Sequence, residues 1–227
     1  MSSRVLPVVA LDIDDTINVW PLPEGADPAD WVVVDQLYVP AGAQPQSPFV
    51  RGGGKGDQRL PVAVRRKVID WVRQVHDVTA EVTWATTWED AARTHFAPAV
   101  GLPDLEVLID TRRFPPRFGM ARDSDSAGWK AMSLRDAVPA DRSLVWLDDQ
   151  AYTFEAPAPF DPPPGWYDHL PPEQRADAAR ADWEQAVKAR RLRPTSAAAE
   201  LVIAPLPGAG LTDDDLQRVD AWLAQQQ

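Results

Sequence analysis

Hydrophobic residues along the chain cluster in five short runs, which are separated by segments of mixed polarity. Each run is continuously apolar instead of alternating with polar positions, a pattern typical of strands buried on both faces of a parallel sheet. The predicted strands are Val5–Asp12, Ala80–Thr86, Leu105–Ile109, Leu144–Asp148 and Leu201–Ala204. Because helix-like segments lie between them, the pattern predicts an α/β fold with a mainly parallel five-stranded sheet.

Two segments show clear helical periodicity. Residues 61–76 carry one apolar stripe, and Pro61 suits the first turn of a helix. The stripe consists of Val64, Val68, Trp71, Val72 and Val75. Near the other end of the chain, Thr212 and the three aspartates that follow it form a strong helix start, because carboxylates favour the positive end of the helix dipole. This last helix would bury Leu216, Val219 and Leu223.

Two further helices are expected from capping signals. Thr87 is expected to cap a helix from Trp88 to Phe96. Ser126 or a neighbour is expected to cap one from about Lys130 to Val138. Helices on both faces of the sheet make the predicted architecture a three-layer, Rossmann-like fold.

Two stretches interrupt the alternation of strands and helices. Residues 18–60 contain a strand-like Trp31–Val39, several prolines and a Gly-rich run, which favours a small β-hairpin flap that would cap the sheet. Residues 156–194 are Pro-rich and then continue with a helical stripe of Ala176, Ala179, Trp183 and Val187. We interpret residues 1–227 as a single domain with a flap insertion at about 18–60 and a second insertion at about 156–194.

Composition agrees with a globular chain. Of 227 residues, 44% are hydrophobic and 10 are Trp, which is enough apolar surface for a sizeable core. Cys is absent, which excludes disulfides, thiolate metal sites and a Cys nucleophile. The first apolar run meets Asp12 after a few residues, too soon for a signal peptide or membrane span, so we expect a soluble cytoplasmic protein with no membrane partner.

The charge limits the class of partner. A formal net charge of −11 argues against a long nucleic-acid track, because that affinity depends on Lys and Arg that neutralise phosphates. Basic side chains are nevertheless in excess over residues 50–122. An anion-binding surface is therefore expected to draw on this middle segment.

Polar residues follow three of the predicted strands. Asp12 and Asp14 end the first, Thr86 ends the second, and Asp148 and Asp149 follow the fourth. Ligands of parallel α/β sheets bind beyond the carboxyl ends of the strands, so these side chains are expected to meet at one edge. Taken alone, carboxylates after a strand are often turn or cap residues.

Several carboxylates at one edge would repel each other unless a divalent cation joined them. An all-oxygen shell selects a hard ion, so the expected cofactor is Mg²⁺. The candidate ligands are Asp12, Asp14, Asp148 and Asp149. A lone lysine, Lys130, precedes the fourth strand and offers a positive charge that also offsets the acids. A solvated position at a helix start is the alternative for Lys130.

The ordered set Asp-x-Asp-x-Thr, strand-end Thr86, Lys130 and Asp148-Asp149 resembles the haloacid dehalogenase superfamily of phosphohydrolases. The resemblance covers about residues 5–16, 80–88 and 128–149. Trp84-Ala-Thr-Thr-Trp88 and the tail from Gly210 to Leu223 are also weakly similar to small members grouped with RNA-repair-like proteins.

The resemblance implies roles that phosphoryl-transfer chemistry also requires. Asp12 would be the nucleophile that forms an aspartyl-phosphate, and Asp14 would protonate the leaving group and then activate water. Thr86 would contact a phosphoryl oxygen, with Thr83 and Thr87 as less favoured rivals. An acid at position 14 is typical of the phosphatases and not of the dehalogenases of this superfamily.

Substrate-binding candidates lie around this edge. The segment from Thr111 to Arg122 holds four arginines and two phenylalanines, which suit phosphates and bases, although a solvated loop is an equally good interpretation. Trp20, Trp88 and Trp129 adjoin the motifs and are candidates for stacking. The binding residues we select are Thr87, Trp88, Arg112, Arg113 and Arg117.

The sequence thus predicts a Mg²⁺-dependent phosphatase that acts on a phosphomonoester, either a phosphorylated small molecule such as a nucleotide or a nucleic-acid end. The alternative is a non-catalytic module that has the same fold and binds nucleic-acid ends or proteins. The natural substrate and the oligomeric state are not fixed by the sequence.

Overall fold

Two sheets organise the part of the chain that the computed structural model describes, namely residues 5–40, 43, 56–115, 126–151, 167, 170–178, 180–181, 197–206 and 208–226. The larger sheet has four parallel strands, and the smaller sheet has two antiparallel strands. The strands are β1 (Val8–Leu11), β2 (Trp31–Val39), β3 (Gln58–Arg65), β4 (Glu81–Trp84), β5 (Leu144–Leu147) and β6 (Glu200–Ile203). Their order is β4-β1-β5-β6 in the larger sheet, and β2 pairs with β3 in the smaller one.

The α/β class and the mainly parallel sheet are confirmed, but the fifth strand is not. Residues 105–109 lie beside β4 and form a single parallel bridge between Val107 and Trp84. Trp84 donates to the carbonyl of Glu106 (2.8 Å), and Leu108 donates back to the carbonyl of Trp84 (2.9 Å). Because β4 ends at Trp84, pairing stops after this one position.

Helices cover both faces of the larger sheet. They are α1 (Arg66–Val75), α2 (Ala97–Val100), α3 (Ser126–Ala137) and α4 (Asp213–Gln225). Val9 and Leu11 point to the core face shared with α1 and α4, whereas Val8 and Ala10 point to the face shared with α3. This alternation is the two-residue period of a strand, so each strand contributes to two cores.

The predicted start of the first helix is wrong. Pro61 and Val64 belong to β3, and α1 begins at Arg66. The register of the hairpin shifts between Val34 and Leu37, so Pro61 lies opposite an irregularity in β2. A bulge of this kind tolerates proline, which has no N–H to donate to the ladder. The hairpin predicted from Trp31–Val39 is confirmed.

The helix predicted to begin at Trp88 also starts later. Residues 86–89 form a turn, and a π-helical segment, Ala92–Phe96, leads into α2. The hydroxyl of Thr86, and not that of Thr87, accepts the hydrogen bond from the backbone N–H of Trp88 (3.3 Å). Thr87 is therefore not the expected helix cap.

The expected last helix is confirmed with its cap. The Thr212 hydroxyl accepts from the backbone of Asp215, whose carboxylate accepts from the backbone of Thr212, a reciprocal capping box. Leu216, Val219 and Leu223 are buried, as the periodicity predicted. The indole of Trp71 in α1 donates to Asp220 (2.8 Å), which fixes α4 against α1.

Much of the two insertions lies outside the described residues. This holds for the tip of the predicted flap and for Ala179, Trp183 and Val187 of the predicted stripe. Residues 172–178 are helical, and Ala176 is exposed there. Within the described ranges, no helix combines the length and the apolar composition needed to cross a bilayer.

Two glycines near β6 allow a test of local packing. Both have positive φ, +74° at Gly208 and +65° at Gly210, but a Cβ at Gly210 would lie 2.5 Å from Cγ2 of Val19 and 3.0 Å from the carbonyl oxygen of Thr16. Among the described residues, no atom lies within 4 Å of a Cβ at Gly208. We therefore expect Gly208→Ala to lose about 1 kcal/mol of unfolding free energy and Gly210→Ala to lose about 1–3 kcal/mol more. Urea unfolding of both variants measures the difference, and equal losses would contradict it.

Candidate functional site

The polar residues predicted to meet at one sheet edge do meet there. Because β1 lies between β4 and β5, Asp12 is flanked by Thr86 on one side and Asp148 on the other. Asp12 donates its backbone N–H to Leu147 (2.9 Å), and Ala85 donates to Leu11 (2.9 Å). These bonds carry the parallel ladder to the strand ends, which fixes the separation of the three side chains.

Lys130 lies at the centre of the site. Only 1% of the residue is exposed, and its Nζ is 2.9 Å from Oδ2 of Asp12 and 2.8 Å from Oδ2 of Asp148. Burial alone would lower the pKa of Lys130, but the charges of Asp12 and Asp148 outweigh burial and raise the pKa above its ordinary value. Lys130 is therefore a fully charged cation within α3, not a solvated residue at a helix start.

Three buried acids share this position. Asp12, Asp148 and Asp149 each offer a carboxylate oxygen, and these oxygens all lie within 4.8 Å of one another. Burial is the main cause that raises the pKa of Asp148 and of Asp149, and the mutual repulsion of the acids adds to it. Lys130 contacts two of the three carboxylates, so one cation does not balance the cluster.

The donor set fits a divalent metal ion. All three side chains offer oxygen, the donor that hard cations prefer. Lys130 contacts Asp12 and Asp148, so three ionised acids would carry more negative charge than this one lysine neutralises. A divalent cation between the acids would supply the missing charge. The triad thus offers a binding place for a metal ion without specifying which one.

Asp14 is separate from this triad and faces solvent. A tight turn presents it, in which the carbonyl of Ile13 accepts from the backbone of Ile17 (3.0 Å) and of Asn18 (2.8 Å). The residue is exposed, although many protein atoms surround its carboxyl group. This desolvation, followed by the charge of Asp12, raises the pKa of Asp14 to about 6.

Two donors hold the carboxyl group of Asp14. The indole Nε1 of Trp88 donates to Oδ2 at 2.8 Å, and Nδ2 of Asn18 approaches Oδ1 at 3.4 Å. The side-chain oxygen of Asn18, Oδ1, in turn accepts from the backbone N–H of Ala63 (2.9 Å). Asp14 is thereby connected to β3 of the hairpin.

The threonines occupy different environments. Thr83 lies within β4 and its hydroxyl donates to the carbonyl of Val9 (3.4 Å), whereas Thr86 is fully buried at the strand end. Thr87 is half-buried in the turn that follows. Thr86 is therefore the threonine that the sheet places next to Asp12.

The Arg-rich segment lies beside the turn at residues 86–89. Glu89 in that turn accepts from the backbone N–H of Thr111 (2.9 Å), and Asp90 pairs with Arg112 (2.9 Å). Arg113 is exposed and lies over the ring of Phe114 at 5.1 Å. Arg112 thus binds a neighbouring acid instead of pointing freely to a ligand, and Arg117 lies outside the described residues.

Of the tryptophans considered for stacking, Trp20 is exposed and Trp129 is buried. Trp129 donates its indole N–H to the carbonyl of Phe114 (2.7 Å), and this hydrogen bond joins α3 to the Arg-rich segment. Trp88 is nearly buried, and its indole contacts Asp14. Stacking on a ligand therefore remains an expectation for the exposed Trp20 and for Trp129, which lines a cavity beside Arg113 and Phe114.

Two site residues were missed from the sequence. The Thr16 hydroxyl accepts from the backbone N–H of Asp149 (2.9 Å), which joins the β1 loop to the β5 loop. Its place in the Asp-x-Asp-x-Thr motif was the available signal. Asn18 carried no local signal, because its partner Ala63 is distant in sequence.

Comparisons of the chain with protein-family models, with curated proteins and with solved structures found no match.

The acidic triad gives a test of metal binding. Asp149→Asn removes a buried charge and keeps the shape, so we expect the variant without added metal to unfold at the same temperature as the wild type or higher. We expect the wild type, but not Asp149→Asn, to gain stability from Mg²⁺ or Mn²⁺, by about 2.7 kcal/mol at a hundredfold excess over Kd. Thermal unfolding with and without each ion measures both effects. Asp70→Asn, an exposed acid in α1, is the matched control that should respond like the wild type.

The buried lysine gives a second test. Lys130→Met leaves two buried carboxylates without their cation, so we expect a loss of roughly 3–5 kcal/mol in unfolding free energy. The exposed Lys67, which pairs with Asp213, is the control, and Lys67→Met should cost at most about 1 kcal/mol. Adding Asp148→Asn to Lys130→Met should recover part of the loss. Similar losses for the two single variants in urea unfolding would contradict the central position of Lys130.

Proposed function

We propose that this protein is a Mg²⁺-dependent phosphomonoester hydrolase that acts through an aspartyl-phosphate on Asp12. The observation that carries the proposal is the buried cluster in which Lys130 bridges Asp12 and Asp148 while Asp14 faces the solvent side of the same edge. The ordered motifs that resemble haloacid dehalogenase phosphatases support the same reaction.

Asp12 is suited to the role of nucleophile. Lys130 holds its Oδ2, and no other hydrogen bond to its carboxylate is found among the described residues. In the first step a carboxylate oxygen of Asp12 bonds to phosphorus, and the bond from phosphorus to the leaving oxygen breaks. Asp14 gives its proton to the leaving oxygen, so the alcohol departs neutral.

The second step returns the protein to its starting state. Water attacks the phosphorus of the aspartyl-phosphate, and Asp14, now ionised, accepts a proton from that water. The bond from phosphorus to Asp12 breaks, which releases inorganic phosphate and restores the carboxylate. A raised pKa suits Asp14 to both duties, because the group must carry the proton in one step and accept it in the next.

Asp12, Asp148 and Asp149 are the residues that would hold the metal ion, together with the backbone carbonyl of Asp14 as the family resemblance implies. When bound, Mg²⁺ would neutralise charge on the phosphoryl group. Lys130 stays charged and keeps Asp12 and Asp148 in place. Asp149 is positioned by its backbone bond to Thr16.

Thr86 is suited to bind a phosphoryl oxygen. Its hydroxyl oxygen already accepts from the backbone of Trp88, so the hydroxyl proton is available to donate. For the wider substrate, a nucleotide or polynucleotide end remains our proposal. Its support is the exposed Arg113 and the position of residues 110–114 beside the turn that carries Trp88.

Hydrolysis of an aryl phosphate with and without Mg²⁺ tests the proposed function. We expect metal-dependent turnover by the wild type and a loss of at least about a thousandfold in Asp12→Asn, because this variant cannot form the phosphoenzyme. After acid quenching, phosphate should be covalently attached to the wild type and not to Asp12→Asn. The substrate panel includes mononucleotides and oligonucleotides with 3′- or 5′-phosphates. If the wild type hydrolyses none of them, the protein is better described as a binding module.

A further inference from the structure

Trp88 makes a contact that substrate stacking does not explain. Its indole Nε1 donates a short hydrogen bond, 2.8 Å, to Oδ2 of Asp14. Only 9% of the residue is exposed, so most of the ring is unavailable to a ligand. The contact joins the turn after β4 to the turn after β1, two segments that are far apart in sequence.

The indole of Trp88 is itself held firmly. Its backbone N–H donates to the Thr86 hydroxyl (3.3 Å), and its ring packs edge-on against Phe96 with centroids 5.6 Å apart. Thr86 is fully buried, and so is Phe96. Trp88 therefore connects Asp14 rigidly to the same strand end that carries Thr86.

The chemistry of the indole selects between the two oxygens of Asp14. An indole N–H donates a hydrogen bond and cannot accept one, so Oδ2 must act as an acceptor. The Nδ2 group of Asn18 is also a donor, but its contact with Oδ1 is much the longer of the two, so a neutral Asp14 carries its proton on Oδ1. The amide of Asn18 approaches Oδ1 only at 3.4 Å, which leaves this oxygen able to turn its proton toward another acceptor.

We propose that Trp88 is a positioning residue that fixes which oxygen of Asp14 delivers the proton to the leaving group. The proposal rests on the proposed phosphohydrolase function. In that step the O–H bond at Oδ1 of Asp14 breaks as the bond from phosphorus to the leaving oxygen breaks. Oδ2 keeps its hydrogen bond from Trp88 throughout, so the carboxyl group does not rotate away.

Two esters that differ in their need for a proton test this role. Phenyl phosphate releases a basic oxygen that needs protonation, whereas 2,4-dinitrophenyl phosphate releases a stable anion that does not. We expect Trp88→Phe, which keeps a ring and removes the N–H, to lower kcat/KM for phenyl phosphate by about tenfold or more. For the dinitrophenyl ester kcat/KM should change by less than about threefold, because it reports phosphoryl transfer to Asp12 without the later attack of water, and that transfer does not need general acid catalysis.

Trp71→Phe is the matched control. It removes an indole bond to an aspartate of the same length, 2.8 Å to Asp220, at the contact of α1 with α4. It should lower kcat/KM for the two esters equally or not at all. Equal losses on both esters in Trp88→Phe would overturn the positioning role and leave the phosphatase function intact. A wild type that hydrolyses neither ester would overturn both.

The contact can also be measured without turnover. In ¹H–¹⁵N spectra, Asp14→Ala should shift the indole signal of Trp88 upfield, because its hydrogen-bond acceptor is gone. The signal of Trp71 should stay in place, and the two Phe variants assign the signals by their absence. Because Asp14 is exposed, this variant is expected to fold even if Trp88→Phe does not. An unmoved Trp88 signal would overturn the proposal.

Discussion

The charged contact of Lys130 with Asp12 and Asp148 is the constraint on which the rest of the site depends. A charged lysine is stable in a protein interior when carboxylates compensate the cost of its desolvation. Here the compensating acids come from two adjacent strand ends, and the lysine comes from the helix that covers them. The charged contact therefore requires that β1 and β5 are neighbours and that α3 lies over their ends.

This arrangement places three buried acids beside one buried lysine, so the charges at the sheet edge do not balance. The acids outnumber the lysine in a setting where water cannot screen them, so the interior favours a further positive charge or protons. A core built only for stability would gain by replacing some of these groups with apolar ones. The excess of buried carboxylates over buried lysine distinguishes this sheet edge from the two hydrophobic cores on the faces of the larger sheet.

The sequence predicted those features that depend on local signals. Continuous apolar runs identified four strands of the parallel sheet, their ends located the acids, and Thr212 marked a helix start. The pairing of segments that are far apart in the sequence could not be predicted from such local signals. Val64 shares a helical period with Val68 by coincidence, and only its pairing with Val32 of β2 places it in a strand. In the same way, the depth of Lys130 and the partner of Asn18 depend on segments brought together by folding.

Asn18 connects the chemistry of this edge to the hairpin. Its side chain contacts Asp14 at one end and the backbone of Ala63 in β3 at the other, while its own backbone pairs with Val64. The hairpin and the turn that carries Asp14 are thus parts of one hydrogen-bonded unit. A displacement of β3 would therefore be transmitted through Asn18 to the carboxyl group of Asp14.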